Sequence, residues 1–168
     1  MSAATSYLPA GMPRPVPEPD GLDRPYWEGT RAGELRIQRC RACRGWQWGP
    51  EWICHRCLTF DLEWVTVAPR GRIYSWERAW HPVHPALKDH GPYIVVLVEL
   101  PDADGVRMLG NLLGDPRQAV QIGAPVEAVR QLRGESTSQV PGARTALVIS
   151  GPMVTPVSSM LLGTEAIR

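Results

Sequence analysis

The sequence predicts a mainly β fold in which a small cysteine-bearing module precedes a barrel, because two patterns divide the chain near residue 62. The four cysteines stand in two pairs, each with a two-residue gap, at Cys40, Cys43, Cys54 and Cys57. After the second pair, short runs rich in β-branched residues alternate with turns that contain glycine, proline and aspartate. A short helix is predicted ahead of the first pair.

The beginning of the chain divides into an arm and a helix. Residues 1–21 are rich in proline and poor in bulky apolar side chains, which is typical of an extended, flexible segment. Residues 22–34 are predicted to be helical, with Asp23 as the candidate N-cap and Pro25 in the first turn. Gly33 is expected to end this helix.

Residues 35–61 are predicted to form a zinc ribbon. Its first part, residues 35–38, is predicted to be a short strand that leads to the first cysteine pair. A two-residue gap lets both sulfurs of a pair turn toward one point, and two such pairs supply the four thiolates of a tetrahedral zinc site. Because thiolates fill every position, no open position remains for water or substrate. We therefore expect one structural zinc ion per chain.

Two disulfides or four free thiols are the alternatives to a zinc site. Disulfides are disfavoured because the chain shows no leading secretory segment and adjacent pairs of this spacing make poor structural bridges. A redox site would need only one pair. Metal-bound, reduced cysteines favour a cytoplasmic protein, and no run approaches the eighteen apolar residues of a membrane span.

The ribbon also carries aromatic and basic side chains. Trp46, Trp48 and Trp52 lie between the cysteine pairs, where they either pack over the sulfurs or face a partner. Between residues 31 and 57, six arginines, Arg39 and Arg41 among them, stand against two glutamates. This excess of positive charge has two equally good explanations. It can bind an external phosphate group, or it can offset the negative charge of a four-thiolate zinc centre.

Residues 62–130 are predicted to form a five-stranded Greek-key barrel such as the OB-fold. The five predicted strands are 62–67, 71–80, 93–100, 106–113 and 126–129. The loop at 80–92 holds His81, His84 and His90 and is a candidate binding surface. Residues 131–168 form a C-terminal extension of unassigned role, within which residues 146–150 are β-prone.

No catalytic constellation is evident in the sequence. The loop histidines could act as bases, but no cysteine is left as a nucleophile for them to activate if zinc binds all four. Ser75 lies inside a predicted strand and not on the sharp turn that an activated serine requires. We therefore expect that the chain alone is not an enzyme. Single-stranded nucleic-acid binding is the rival interpretation, but residues 62–130 carry seven basic against eight acidic side chains, whereas a phosphate-tracking groove should be positive.

The order and spacing of these motifs resemble the zinc-ribbon/OB-fold family of acyl-CoA-associated proteins. The matching segments are 25–29 (PYWEG), 33–35 (GEL), 38–43 (QRCRAC), 54–57 (CHRC), 63–64 (EW), 71–76 (GRIYSW), His81, 92–100 (PYIVVLVEL) and 122–126 (IGAPV). The chain differs from the family at Arg44, where the family has glycine, so a slightly shifted first knuckle is expected. It also continues well beyond the last predicted strand.

The resemblance implies a rubredoxin-like ribbon, an OB barrel and a role as a non-catalytic accessory subunit. Proteins of this family work beside a thiolase-like enzyme, a lipid-transfer-type aldolase or an acyltransferase that acts on acyl-CoA substrates. It further implies that the subunit completes its partner's active-site entrance or contacts the CoA moiety. The residues expected to face ligand or partner are Arg39, Arg41, Trp46, Trp48, Trp52, His81 and His84.

Overall fold

A computed structural model of the 168-residue chain describes residues 21–81, 91–131 and 146–150. Within these ranges the elements are α1 (Arg24–Ala32), β1 (Leu35–Cys40), β2 (Trp46–Gln47), β3 (Leu62–Val67), β4 (Arg70–Ala79), β5 (Tyr93–Leu100), β6 (Val106–Leu112), β7 (Pro125–Gln131) and β8 (Ala146–Ser150). The mainly β fold class, with its N-terminal helix, ribbon and five-stranded barrel, is confirmed. Residues 1–20 of the predicted arm at 1–21 lie outside the described residues, as do His84 and His90.

Helix α1 starts and stops close to its predicted ends. Gly33 ends it in the left-handed region, at φ 82°, where glycine carries no Cβ penalty. Asp23 occupies the N-cap position without capping the backbone, because its Oδ2 accepts a 2.6 Å hydrogen bond from the indole Nε1 of Trp27. The helix buries Tyr26, whose ring lies 4.7 Å from that of Trp48 in the ribbon, and this burial raises the pKa of Tyr26 to about 12.

The ribbon contains a three-stranded antiparallel sheet in the order β2-β1-β3. Strand β3 pairs with β1 along its whole length, from Leu35 opposite Val67 to Cys40 opposite Leu62. The prediction that residues 62–67 form a barrel strand is therefore wrong. Alternating polarity identifies such a segment as a strand but does not identify its partner, which here is fixed by contacts with β1.

The barrel closes in the order β4-β5-β6-β8-β7. Strand β5 alternates inward-facing residues, from Ile94 to Leu100, with half-buried outward ones. The fifth strand is β8, from the segment assigned to a C-terminal extension; it pairs antiparallel with β7 over five residue pairs and parallel with β6. This strand covers the hydrogen-bonding edges that β6 and β7 would otherwise expose.

Ribbon and barrel share one hydrophobic core. Leu35 and Ile37 of β1 belong to the same buried cluster as Ile73 and Val98 of the barrel and Tyr26 of α1. A closely packed cluster of this kind holds its elements at fixed positions. The metal-binding end of the ribbon is therefore held in a defined place relative to the barrel.

In the described part of the chain, no helix is both long enough and apolar enough to cross a membrane.

Candidate metal centre

The four cysteine sulfurs form one compact cluster at the tip of the ribbon. All four Sγ atoms lie within 4.8 Å of one another, and two pairs, Cys40 with Cys57 and Cys43 with Cys54, are each 3.6 Å apart. Sulfurs bound tetrahedrally at the usual Zn–S distance are about 3.8 Å apart. The donor set and its spacing fit one zinc ion, and the predicted zinc site is confirmed.

The two knuckles are built alike. The residue after each pair lies in the left-handed region, Arg44 at φ 62° and Leu58 at φ 60°. Each donates its backbone N–H, at 3.0 Å, to the carbonyl of the first cysteine of its pair, Cys40 or Cys54. The backbone at Arg44 therefore has the same geometry as the backbone at Leu58, and a shift of the first knuckle relative to the family stays a prediction.

The sulfurs differ in how readily they ionise. Hydrogen bonds from the backbone N–H groups of Cys57 and Arg56 lower the pKa of Cys54 to about 6. The backbone N–H of Thr59 favours the Cys57 thiolate, but desolvation and hydrogen bonds with the other three sulfurs outweigh it and raise the pKa of Cys57 to about 12. Four thiolates at this spacing repel one another, and a divalent cation removes that penalty.

Glu63 forms ion pairs with three arginines in and next to the first knuckle. Arg39 donates two hydrogen bonds of 2.8 and 3.0 Å to Oε1 of Glu63, while Arg41 and Arg44 approach the same carboxylate at 3.3 and 3.5 Å. Arg41 also pairs with Asp61 at 3.2 Å. The hydrogen bonds from Arg39 are the main reason why the pKa of the Glu63 carboxyl lies below its usual value.

The arginine cluster, defined as Arg39, Arg41 and Arg44, is thus largely neutralised within the chain. Arg39 is half-buried between Glu63 and the ring of Trp46, whose centroid lies 5.0 Å from its guanidinium carbon. Arg41 and Arg44 are exposed, and the cluster retains one more cation than the two carboxylates it meets. Contact of Arg39 or Arg41 with an external phosphate stays a prediction.

The three tryptophans of the ribbon separate into two environments. Trp46 and Trp48 are half-buried and pack against the core cluster. Trp52 is 68% exposed and, with Phe60 at 77%, lines a groove of about 310 Å³. We call this the aromatic groove; its other apolar lining residues are Leu22, Pro25, Leu62 and Trp64.

Of the predicted histidine surface, only His81 lies in the described part of the chain. Among residues 21–81, 91–131 and 146–150, the four cysteines are the one group of metal-ligating side chains close enough together to hold an ion. His81 is exposed just beyond β4 and is not part of that group. The sequence pattern assigns no role to Glu63, Phe60 and the buried glutamines Gln38 and Gln47, because their roles depend on residues that are close only in the folded chain.

The metal should be essential for an ordered ribbon. We expect purified protein to contain one zinc ion per chain by elemental mass spectrometry, and Cys57→Ser to lose it. Because little regular structure lies between Cys43 and Cys57, loss of the metal should disorder the ribbon or make the protein insoluble. The matched control Thr59→Ser, in the same knuckle, should keep its zinc. A folded preparation that holds iron or no metal would contradict this prediction.

The left-handed conformation of Arg44 predicts a stabilising substitution. A non-glycine residue in this region costs about 1–2 kcal/mol, which the greater unfolded-state entropy of glycine offsets by about 0.5–1 kcal/mol. Arg44→Gly should therefore raise the free energy of unfolding of the zinc-loaded chain by about 0.5–1 kcal/mol in denaturant titrations. Ala42→Gly, in the same knuckle but without a positive φ, should lower it. Equal effects of the two substitutions would refute the explanation.

Comparison with known proteins gives two adjacent family matches. Residues 27–63 match the rubredoxin-like zinc ribbon domain of ChsH2, and residues 64–131 match the C-terminal OB-fold domain of ChsH2. Among solved structures, a chain of the Ltp2-ChsH2(DUF35) aldolase superposes with a TM-score of 0.62 at 33% identity, covering 82% of this chain and 98% of that one. A DUF35-family protein of unknown function from Sulfolobus solfataricus shares the fold, with a TM-score of 0.51 at 17% identity and coverage of 79% and 86%.

Two curated relatives are longer than this chain. The 3-oxo-4,17-pregnadiene-20-carboxyl-CoA hydratase alpha subunit of Mycobacterium tuberculosis is 36% identical over 136 residues, which is 73% of this chain and 41% of that protein. A probable enoyl-CoA hydratase alpha subunit of Thermomonospora curvata is 40% identical over 105 residues, or 62% and 32%. The chain therefore spans between a third and two-fifths of the length of these relatives.

Proposed function

Because the chain belongs to the ChsH2 (DUF35) family of zinc-ribbon and OB-fold proteins, we propose that it is a non-catalytic accessory subunit of an enzyme that acts on acyl-CoA esters. Its partner in this proposal is a lipid-transfer-type aldolase, a thiolase-fold enzyme or a related acyltransferase. The relatives named as a hydratase alpha subunit and as part of an Ltp2-ChsH2 aldolase support this class of role. The observation that best supports this proposal is the aromatic groove, which is lined by Trp52 and Phe60.

The aromatic groove has the chemistry of a protein-docking surface. Trp52 and Phe60 leave most of their apolar area in water, and covering such area yields about 25 cal/mol per Å². Tryptophan is enriched among residues that dominate interface energies. Arg24 and Glu51 also line the groove, so a partner that inserts apolar side chains would meet polar groups as well, as at most protein interfaces.

The chemical groups of the ribbon support a binding role rather than a catalytic one. The four cysteines converge on a metal position that leaves no open coordination site. Arg39 is engaged by Glu63, which holds β1 against β3. In the proposed complex the exposed Arg41 and Arg44 face the phosphates of the CoA ester, for which guanidinium groups are suited.

Docking through the aromatic groove predicts a site-specific loss of affinity. Trp52→Ser and Phe60→Ser should each weaken binding to a lipid-transfer-type aldolase or thiolase-fold partner from the same organism by at least about 10-fold, as for central interface aromatics. Leu109→Ser removes an apolar side chain that is 73% exposed on β6 and should leave the affinity unchanged. Isothermal titration calorimetry of each zinc-loaded variant with the partner measures these affinities. Equal affinities for all three variants and the unsubstituted chain would exclude the groove as the docking site.

Contact with the CoA moiety predicts a kinetic signature. Arg41→Ala should raise the KM of the complex for its CoA ester more than it lowers kcat, because the lost contact is made before and during the reaction alike. Arg70→Ala, which removes an exposed arginine paired with Asp102 in the barrel, is the matched control and should change neither constant. An unchanged KM in Arg41→Ala would contradict direct contact.

The same preparations test the alternative, single-stranded nucleic-acid binding. Labelled oligonucleotides are titrated with the chain across a salt series, and anisotropy reports their binding. Tight binding that falls steeply with salt, together with unchanged acyl-CoA turnover when the subunit is omitted, would favour a nucleic-acid-binding protein. Weak oligonucleotide binding, with turnover lost on omission, supports the accessory subunit.

A further inference from the structure

Two buried glutamines lie face to face inside the ribbon. Gln38 in β1 and Gln47 in β2 are directly opposite each other in the strand register, and their side chains are 2% and 4% exposed. Glutamine is mostly an exposed residue, and burying its amide is unfavourable unless hydrogen bonds satisfy it. A pair of fully buried glutamines therefore requires a structural explanation.

The hydrogen bonds of this pair converge on the second knuckle. Gln47 Nε2 donates to Gln38 Oε1 at 3.0 Å and to the carbonyl of Ile53 at 3.3 Å. Gln38 Oε1 also accepts the backbone N–H of Glu51 at 3.0 Å, and Gln38 Nε2 donates to the carbonyl of the same residue at 3.1 Å. Gln47 Oε1 accepts the backbone N–H of His55 at 3.1 Å. Every polar atom of both side chains has a partner.

These bonds bracket a metal ligand. Cys54 lies between Ile53 and His55, so the backbone on either side of it is tied to Gln47. Gln38 itself precedes Cys40, a ligand from the first knuckle, by two residues on β1. The pair thus connects the strand that carries one ligand to the segment that carries another, within a region that has almost no other regular backbone pairing.

We infer that Gln38 and Gln47 are positioning residues that pre-organise the second knuckle for zinc. By fixing the backbone around Cys54, they hold its sulfur where the other three converge, which lowers the cost of assembling the site. Residues that orient metal ligands without touching the metal commonly change affinity by about 10- to 100-fold when replaced. The inference concerns the metal site and does not depend on the identity of any partner.

The test compares zinc release from the full chain and its variants to a chromophoric chelator. Gln47→Met keeps a similar volume but loses the amide, and should speed zinc release by about 10-fold or more. Gln118→Met is the matched control, since Gln118 donates a 2.9 Å hydrogen bond to the carbonyl of Leu113 in the barrel and should release zinc at the unsubstituted rate. With Co²⁺ in place of zinc, Gln47→Met should keep the absorption of a tetrahedral four-thiolate site.

Release from Gln47→Met at the unsubstituted rate, or equal acceleration in both variants, would overturn the inference. If Gln47→Met fails to fold, hydrogen exchange on the unsubstituted, zinc-loaded chain decides. The amides of Glu51 and His55, both on exposed residues, should exchange at least about 100-fold more slowly than in an unstructured peptide, because glutamine oxygens accept them. Exchange at peptide rates would also overturn the inference.

Discussion

The convergence of four sulfurs on one metal position is the constraint on which the rest of the ribbon depends. Between Cys40 and β3 the only regular pairing is the two-residue strand β2, so the backbone there has few ladder hydrogen bonds of its own. Cys40 is the last residue of β1, and this strand packs into the shared core through Leu35 and Ile37. A metal that links Cys40 to the second knuckle therefore transfers the rigidity of that core to an otherwise irregular loop.

The aromatic groove follows from this arrangement. Its lining includes Trp52 and Phe60, which flank the second knuckle in the sequence, and residues at the beginning of α1. Helix α1 is held against the ribbon by the contact of Tyr26 with Trp48, while the knuckle is held by the metal cluster and the glutamine pair. The surface that carries the exposed aromatics is therefore ordered before a partner binds. Little conformational entropy of this chain is then lost on binding.

Features encoded by neighbouring residues could be predicted from the sequence, whereas those that depend on distant partners could not. The cysteine spacing predicts the metal cluster, and Gly33 predicts the end of α1. Both predictions succeed because each depends only on residues that are close together in the sequence. The alternation of residues 62–67 predicted a strand but not its pairing with β1. The β-prone residues 146–150 were recognised, but the free edges of β6 and β7 that they cover exist only in the folded barrel.

The same limit applies to the candidate site. Trp46, Trp48 and Trp52 are alike in the sequence, yet only Trp52 is largely exposed, because Tyr26 and Arg39 cover the other two. Gln38 and Gln47 look like ordinary polar strand residues until their register and burial are known.

We propose that the zinc-organised second knuckle presents the surface through which this chain binds an acyl-CoA enzyme. Hydrogen–deuterium exchange of the zinc-loaded chain, alone and with a lipid-transfer-type aldolase or thiolase-fold protein from the same organism, tests this most directly. We expect slower exchange in the complex at residues 51–60 and at the beginning of α1, with unchanged exchange on the outer face of β5 and β6. Slower exchange confined to that barrel face, or no change anywhere, would contradict it.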